Sequence, residues 1–166
     1  MRFEINSAAT FLMNLLRMSN SLNEQQLDIF RTKLEDLLKK HYQHHWFPEQ
    51  PCKGSGYRCL RINHKMDPLI AKAAEASGVS DSSRLQNMFP NELTLWIDPR
   101  EVSYRIGENG SICVLFDASN LNNNHNNNNN NNERYSTCKE IVRGLDNMIM
   151  DPRNMSFEPF AAYVSS

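Results

Sequence analysis

The side chains best suited to chemistry crowd into one segment, His44–Pro68, which reads HHWFPEQPCKGSGYRCLRINHKMDP. Together with His41 it brings His41, His44, His45, Cys52, Cys59 and His64 into a short span, and imidazole and thiolate are the usual zinc ligands. His41 and His45 stand four apart, so a helix would set both on one face. No Cys-x-x-Cys pair occurs, and the interval from Cys52 to Cys59 is not a common structural zinc spacing. The spacing favours packing and surface roles, and no metal or other cofactor is expected. A second chemistry would use Cys59 as a nucleophile with His64 or His45 as its base. Yet Cys59 falls inside the alternating run Tyr57–Ile62, where cysteine behaves as a small hydrophobe. The chain shows no nucleophile elbow, phosphate loop or paired-carboxylate pattern, and Gly54-Ser-Gly56 is short enough to be only a turn. The expectation is a protein without catalytic residues.

A third chemistry is nucleic-acid binding. Lys53, Arg58, Arg61 and Lys65 interleave with Tyr57 and His64, a pattern that suits single-stranded RNA. Against it stand a formal charge of −1 and the lack of a second aromatic platform on a neighbouring strand. A solvated strand edge is the simpler reading, and no direct nucleic-acid contact is expected. The sharpest single signal lies further on, at Trp96. If Leu93, Leu95 and Ile97 fill a core, alternation turns Trp96 to the face shared with Thr94 and Asp98. A tryptophan on a polar face beside a carboxylate is the pattern of an interface anchor. If helices cover both faces of the sheet, the same Trp96 is core, and periodicity alone leaves the two readings level.

Positioning such residues takes a packed domain, and the composition provides one. The chain has 166 residues, a 40% hydrophobic share and 18 basic against 19 acidic residues, enough for one domain plus a tail and without a field that attracts polyanions. The start lacks the basic and apolar regions of a secretion signal, and no stretch is long and apolar enough to span a bilayer. A reducing intracellular compartment follows, with Cys52, Cys59, Cys113 and Cys138 as free thiols and no membrane partner.

The elements can be read in chain order. Met1–Asn20 carries Phe3, Ile5, Ala8, Ala9, Leu12, Leu15 and Leu16 at helical spacing. Ser21-Leu-Asn-Glu24 has the form of a capping box opening a second helix, with Leu27, Phe30, Leu34, Leu37, Leu38 and Tyr42 on one side. The pair forms a helical hairpin. Prolines and glycines end regular structure over Phe47–Gly56, and Tyr57–Ile62 reads as a strand. Asp67-Pro68 starts a short helix that Gly78 stops, and Ser80 or Asp81 caps another that Pro90 ends. Three strands follow: Leu93–Asp98, Glu101–Ile106 with Val102, Tyr104 and Ile106 on one face, and a return strand with Ile112, Val114 and Phe116. Asn109-Gly110 is the hairpin signal between the last two. The fold class is therefore α+β: one compact domain over 1–117, with an N-terminal helical hairpin and short helices packed on a small, mainly antiparallel sheet. Residues 118–132, almost pure asparagine from Asn122, are expected to form a disordered linker, and 133–166 a flexible tail.

Two stretches, HHWFPEQPCKGSGYRCLRINHKMDPLI and LTLWIDPREVSYRIGENGSICVLF, resemble the signature boxes of the BTG/Tob antiproliferative family, and the likeness spans roughly Met1–Phe116. The resemblance implies a compact α/β domain and a non-enzymatic adaptor. Its implied partner is the Caf-type deadenylase subunit of the CCR–NOT complex, and its implied effect is mRNA deadenylation and decay with restraint of proliferation, in cytoplasm and nucleus. Matched motif by motif, it assigns the partner contact to Tyr57, Trp96 and Asp98. It also offers transcription factors and poly(A)-binding protein as further partners. The short C-terminal box and the extended tail tied to poly(A)-binding protein have no counterpart in Glu133–Ser166, which leaves that contact open. A further departure is Arg100, at a position usually aromatic in the family.

Overall fold

The structure is a computed structural model, and it describes residues 1–121. Most of the expected linker and the whole expected tail lie outside the described residues. The elements run α1 (Arg2–Met18), α2 (Glu24–Tyr42), α3 (Ser55–Arg58), β1 (Cys59–Ile62), α4 (Pro68–Ala76), α5 (Ser82–Asn87), β2 (Leu93–Asp98), β3 (Glu101–Ile106) and β4 (Cys113–Asp117). A 3-10 turn at Ala118–Leu121 places the first residues of the expected linker in regular structure, tied by the Ala118 amide to the Arg100 carbonyl at 2.8 Å. The four strands form one antiparallel sheet in the order β1-β2-β3-β4. The α+β class and the order of elements agree with the sequence.

Apolar periodicity explains the helical layer. Ile5, Ala8, Leu12 and Leu16 of α1 meet Leu27, Phe30, Leu34 and Leu38 of α2, all at 1% exposure or less. Phe3, counted in the α1 stripe, is instead 69% exposed, because helical rotation turns it to the side of α1 opposite the buried Ile5, Ala8 and Leu12. The sequence also misplaces the α2 cap. The reciprocal pair is Asn23 with Gln26: Asn23 Oδ1 accepts from the Gln26 amide at 2.9 Å, and Gln26 Oε1 accepts from the Asn23 amide at 3.1 Å. Glu24 is left to pair with Arg17, at 2.9 Å. Asp67 and Asp81 cap α4 and α5 as expected, and Gly78 takes a φ of +92° after α4.

Helix α1 packs on β2, β3 and β4. On the face towards it, Leu60, Ile62, Leu93, Leu95, Ile97, Val102 and Tyr104 are buried, and the Phe11 ring of α1 packs tilted against Tyr104 at 4.5 Å between ring centroids. The return strand departs from simple alternation. A bulge between Val102 and Ser103 sets Phe116 opposite Val102 but Cys113 opposite Tyr104. Cys113 is therefore buried on the core face, while Ile112 lies outside β4 at 60% exposure. The connection from Gly107 (φ +77°) to Ile112 is longer than the two-residue turn that Asn-Gly suggests.

Candidate functional site

The opposite face of the sheet is built by the same alternation. Cys59 stands opposite Trp96, which stands opposite Ser103, and Ser103 faces Val114. One row away, Arg61 pairs with Thr94 and Thr94 with Arg105. On the other side of Trp96, Asp98 pairs with Glu101 and Glu101 with Asp117. Solvent reaches most of this face: Arg61 and Glu101 are exposed, and Cys59, Thr94, Trp96, Asp98 and Arg105 are partly so. Trp96 is thus not a core residue. Its ring lies under the Arg105 guanidinium at 5.8 Å. Together Gly56, Cys59, Arg61, Thr94, Trp96 and Arg105 line a shallow depression of about 300 Å³.

Tyr57 reaches this surface by a route that alternation misses. The run Tyr57–Ile62 is not one strand: Ser55–Arg58 turns as helix α3, with the Tyr57 and Arg58 amides both donating to the Gly54 carbonyl, and β1 begins only at Cys59. The cause is Arg58. Its side chain is fully buried and all five of its N–H groups are used. Nε donates to the Ile97 carbonyl at 3.0 Å. The two terminal nitrogens donate to the carbonyls of His45, Lys53 and Pro51 at 2.7 Å each and to Asp98 Oδ1 at 2.6 Å. Had the chain stayed extended through residue 58, those loop carbonyls would have lacked a donor. Trp46 lies over the guanidinium at 5.6 Å, and the buried Tyr42 hydroxyl donates to the Arg58 carbonyl at 2.7 Å. Burial pushes that phenol far above the ordinary tyrosine range, so it stays a donor.

Gly54 is required here on two grounds. Its φ is +74°, and a Cβ would stand 3.1 Å from Arg58 Nη1. On the turn so formed, Tyr57 is 43% exposed. Its ring stacks on His45 at 3.7 Å and on His41 at 4.4 Å, with its hydroxyl 3.4 Å from His41 Nδ1. Ser55 on the same turn donates to Asp98 Oδ2 at 2.7 Å. The structure therefore brings Tyr57, Trp96 and Asp98 to one corner of the sheet. It also gives Asp98 an internal task, since both carboxylate oxygens already accept hydrogen bonds within the domain.

The other chemistries can be placed on this geometry. Two of the candidate metal ligands, His41 and His45, are engaged with Tyr57, and among the described residues no three His, Cys, Asp or Glu side chains are grouped to hold a metal ion. Burial pushes the Cys59 thiol up, the reverse of what a nucleophile needs. Cys52 and Cys59 are free thiols. The basic track that an RNA would need is broken, because Arg58 is interior and Lys53 sits over the Phe47 ring at 4.5 Å. Arg58, which reads in the sequence as part of a basic strand edge, is an interior residue of α3. Its one local signal was its place directly after Gly-Ser-Gly-Tyr, where a tight turn can aim a side chain inward.

A family model described as "BTG family" matches residues 1–116 of the chain. The chain belongs to the BTG family. Its relatives include human BTG1, 60% identical over 70% of this chain and 67% of that protein, and human BTG2, 56% identical over 71% and 74%. Human Tob1 is 45% identical over 74% of this chain and 35% of its own length. A doubly substituted BTG/Tob domain of C. elegans FOG-3 superimposes with a TM-score of 0.60 at 21% identity, over 86% of this chain and 99% of that one, a likeness of fold. Membership in the BTG family supports an antiproliferative role. Both stretches that carry the family resemblance, His44–Pro68 and Leu93–Leu115, build the surface described here.

Proposed function

We propose that this BTG-family chain is a non-enzymatic adaptor that docks the Caf-type deadenylase subunit of the CCR–NOT complex, in cytoplasm and nucleus. Docking brings the deadenylase to bound messages, promotes their deadenylation and decay, and so restrains proliferation. The observation that carries the reading is Trp96: a tryptophan left partly in water on a sheet face that the described residues leave open, on the strand against which the turn bearing the exposed Tyr57 packs. Such an aromatic loses its remaining water when a partner closes over it, which is how interface anchors gain their energy. Asp98 serves the same surface by holding Arg58 and Ser55, and keeps lone pairs free for a donor from the partner.

The test is a binding titration of the full chain with the purified deadenylase subunit. Trp96→Ala is expected to weaken binding by about 2 kcal/mol or more, the hot-spot scale, while the variant still unfolds cooperatively with at most a small loss of stability. A wild-type chain that fails to bind would refute the adaptor reading.

A further inference from the structure

On the reading of this face as the deadenylase-docking surface, we infer that Arg61 and Arg105 receive an acidic side chain of the partner alongside Trp96, which fixes the direction in which the partner docks. Arg17, Arg31 and Arg58 each pair with a carboxylate inside the domain. Arg61 and Arg105 do not: among the described residues neither has an acidic partner, and Arg105 Nε is buried without any hydrogen bond. Both flank Thr94 from the strands on either side, in the depression that Trp96 helps to line. Two strand spacings separate their backbones, on the order of 10 Å, a gap that two arginine side chains can close on one carboxylate.

The opposite end of the face carries the opposite sign. Asp98, Glu101 and Asp117 form a row across β2, β3 and β4, two positions beyond Trp96 along β2. Asp98 is neutralised by Arg58, while Glu101 is exposed. The face therefore runs from basic through aromatic to acidic over roughly 13 Å, two double steps along a strand. A partner matches it in one orientation only, with its own acid over Arg61 and Arg105 and its apolar patch over Trp96. A nucleic acid fits worse. Its phosphates need a continuing basic track, and here they would run from two arginines into three carboxylates.

The experiment measures binding of the full chain to the deadenylase subunit across a salt series, with thermal unfolding of each variant alongside. Arg61→Glu/Arg105→Glu is expected to bind roughly tenfold more weakly or worse, mostly through slower association, and to lose most of the salt dependence. Arg61→Lys/Arg105→Lys is expected to keep most of the affinity. Should Arg105→Glu disturb β3, Arg61→Glu alone changes an exposed side chain and reads the same effect. A folded reversal variant that binds as tightly as wild type overturns this inference and leaves the adaptor reading standing. A wild-type chain that does not bind overturns both. A single-stranded poly(A) oligonucleotide is titrated in parallel: capture that depends on these arginines, with deadenylase binding unchanged by the reversal, makes the face a nucleic-acid surface and overturns the inference.

Discussion

Strand β2 has two faces, and they are held by different physics. On one, Leu93, Leu95 and Ile97 are at 2% exposure or less against the helical layer, and any well-packed apolar set of the same volume would serve. On the other, Thr94, Trp96 and Asp98 are only half-buried, and the identity of each side chain matters. Asp98 anchors a buried guanidinium, Trp96 lies beside two arginines that have no acidic partner among the described residues, and the loop above them is tied largely by hydrogen bonds to that guanidinium. The core face is tolerant in kind and sensitive to volume, whereas the open face is sensitive to kind.

The largest expected effect tests that contrast at Arg58. Replacing it by methionine keeps the bulk but removes every donor, and should destabilise the domain by about 3–5 kcal/mol in urea unfolding, as loss of one member of a buried ion pair does. Arg58→Lys should restore little, since one ammonium cannot span the same carbonyls. A methionine variant as stable as wild type would mean that apolar contact, not the guanidinium, holds the loop. On the core face, Leu95→Ala should cost about 2–5 kcal/mol through cavity formation. Proteolysis of the folded variants separates the two cases: cleavage within residues 45–55 should rise for Arg58→Met and stay unchanged for Leu95→Ala. Trp96→Ala should cost under about 1 kcal/mol of stability, because its site is already open to water.

Smaller effects sharpen the picture at the edges of the open face. Arg100 follows Pro99 in the β2–β3 turn with a φ of +74°, a conformation that disfavours a side chain. Arg100→Gly should raise the melting temperature, by the equivalent of about 0.5–1 kcal/mol, while its amide keeps the 3.1 Å bond to Glu4 Oε1. The smallest effect concerns Asp67, at the exit from β1. Burial lifts its carboxyl above the ordinary value, although the Leu69 and Arg61 amides donate to it and pull the other way. A folded value above the unfolded one means that the folded state binds more protons in the window between them. The contribution of Asp67 to stability should therefore be fully present below the ordinary aspartate value and be lost as pH rises through the raised one. Asp67→Asn, which keeps the cap, should flatten that slope, and equal slopes for both proteins would show that Asp67 is not its source.

How much of this the chain announces differs between the two faces for a definite reason. Apolar period marks α1, α2, β2 and the core side of β3 because burial of such residues depends on spacing alone, which a sequence displays directly. Family identity is equally plain, since the two boxes are long and specific. The errors fall where one residue outvotes its neighbours. Tyr57–Ile62 alternates like a strand, yet the Arg58 guanidinium collects carbonyls from residues 45, 51, 53 and 97 and winds the first part into a helical turn. The α2 cap moved by two residues because Asn23 and Gln26 satisfy each other as well as Ser21 and Glu24 would. A bulge turned Cys113 inward and left Ile112 outside.

The sequence by itself determined the α+β class, the order of its elements, the apolar face of the sheet and the family. It also singled out Trp96 but left open whether water or a helix covers it. Only the tertiary structure decided that, because α1 packs on one side of the sheet, and no spacing within β2 records that the described residues put no second layer on the other. It likewise decided that Arg58 is interior while Arg61 and Arg105 are not. A charged residue is buried only where several distant carbonyls and a carboxylate converge on it, and that convergence exists only once the chain has folded.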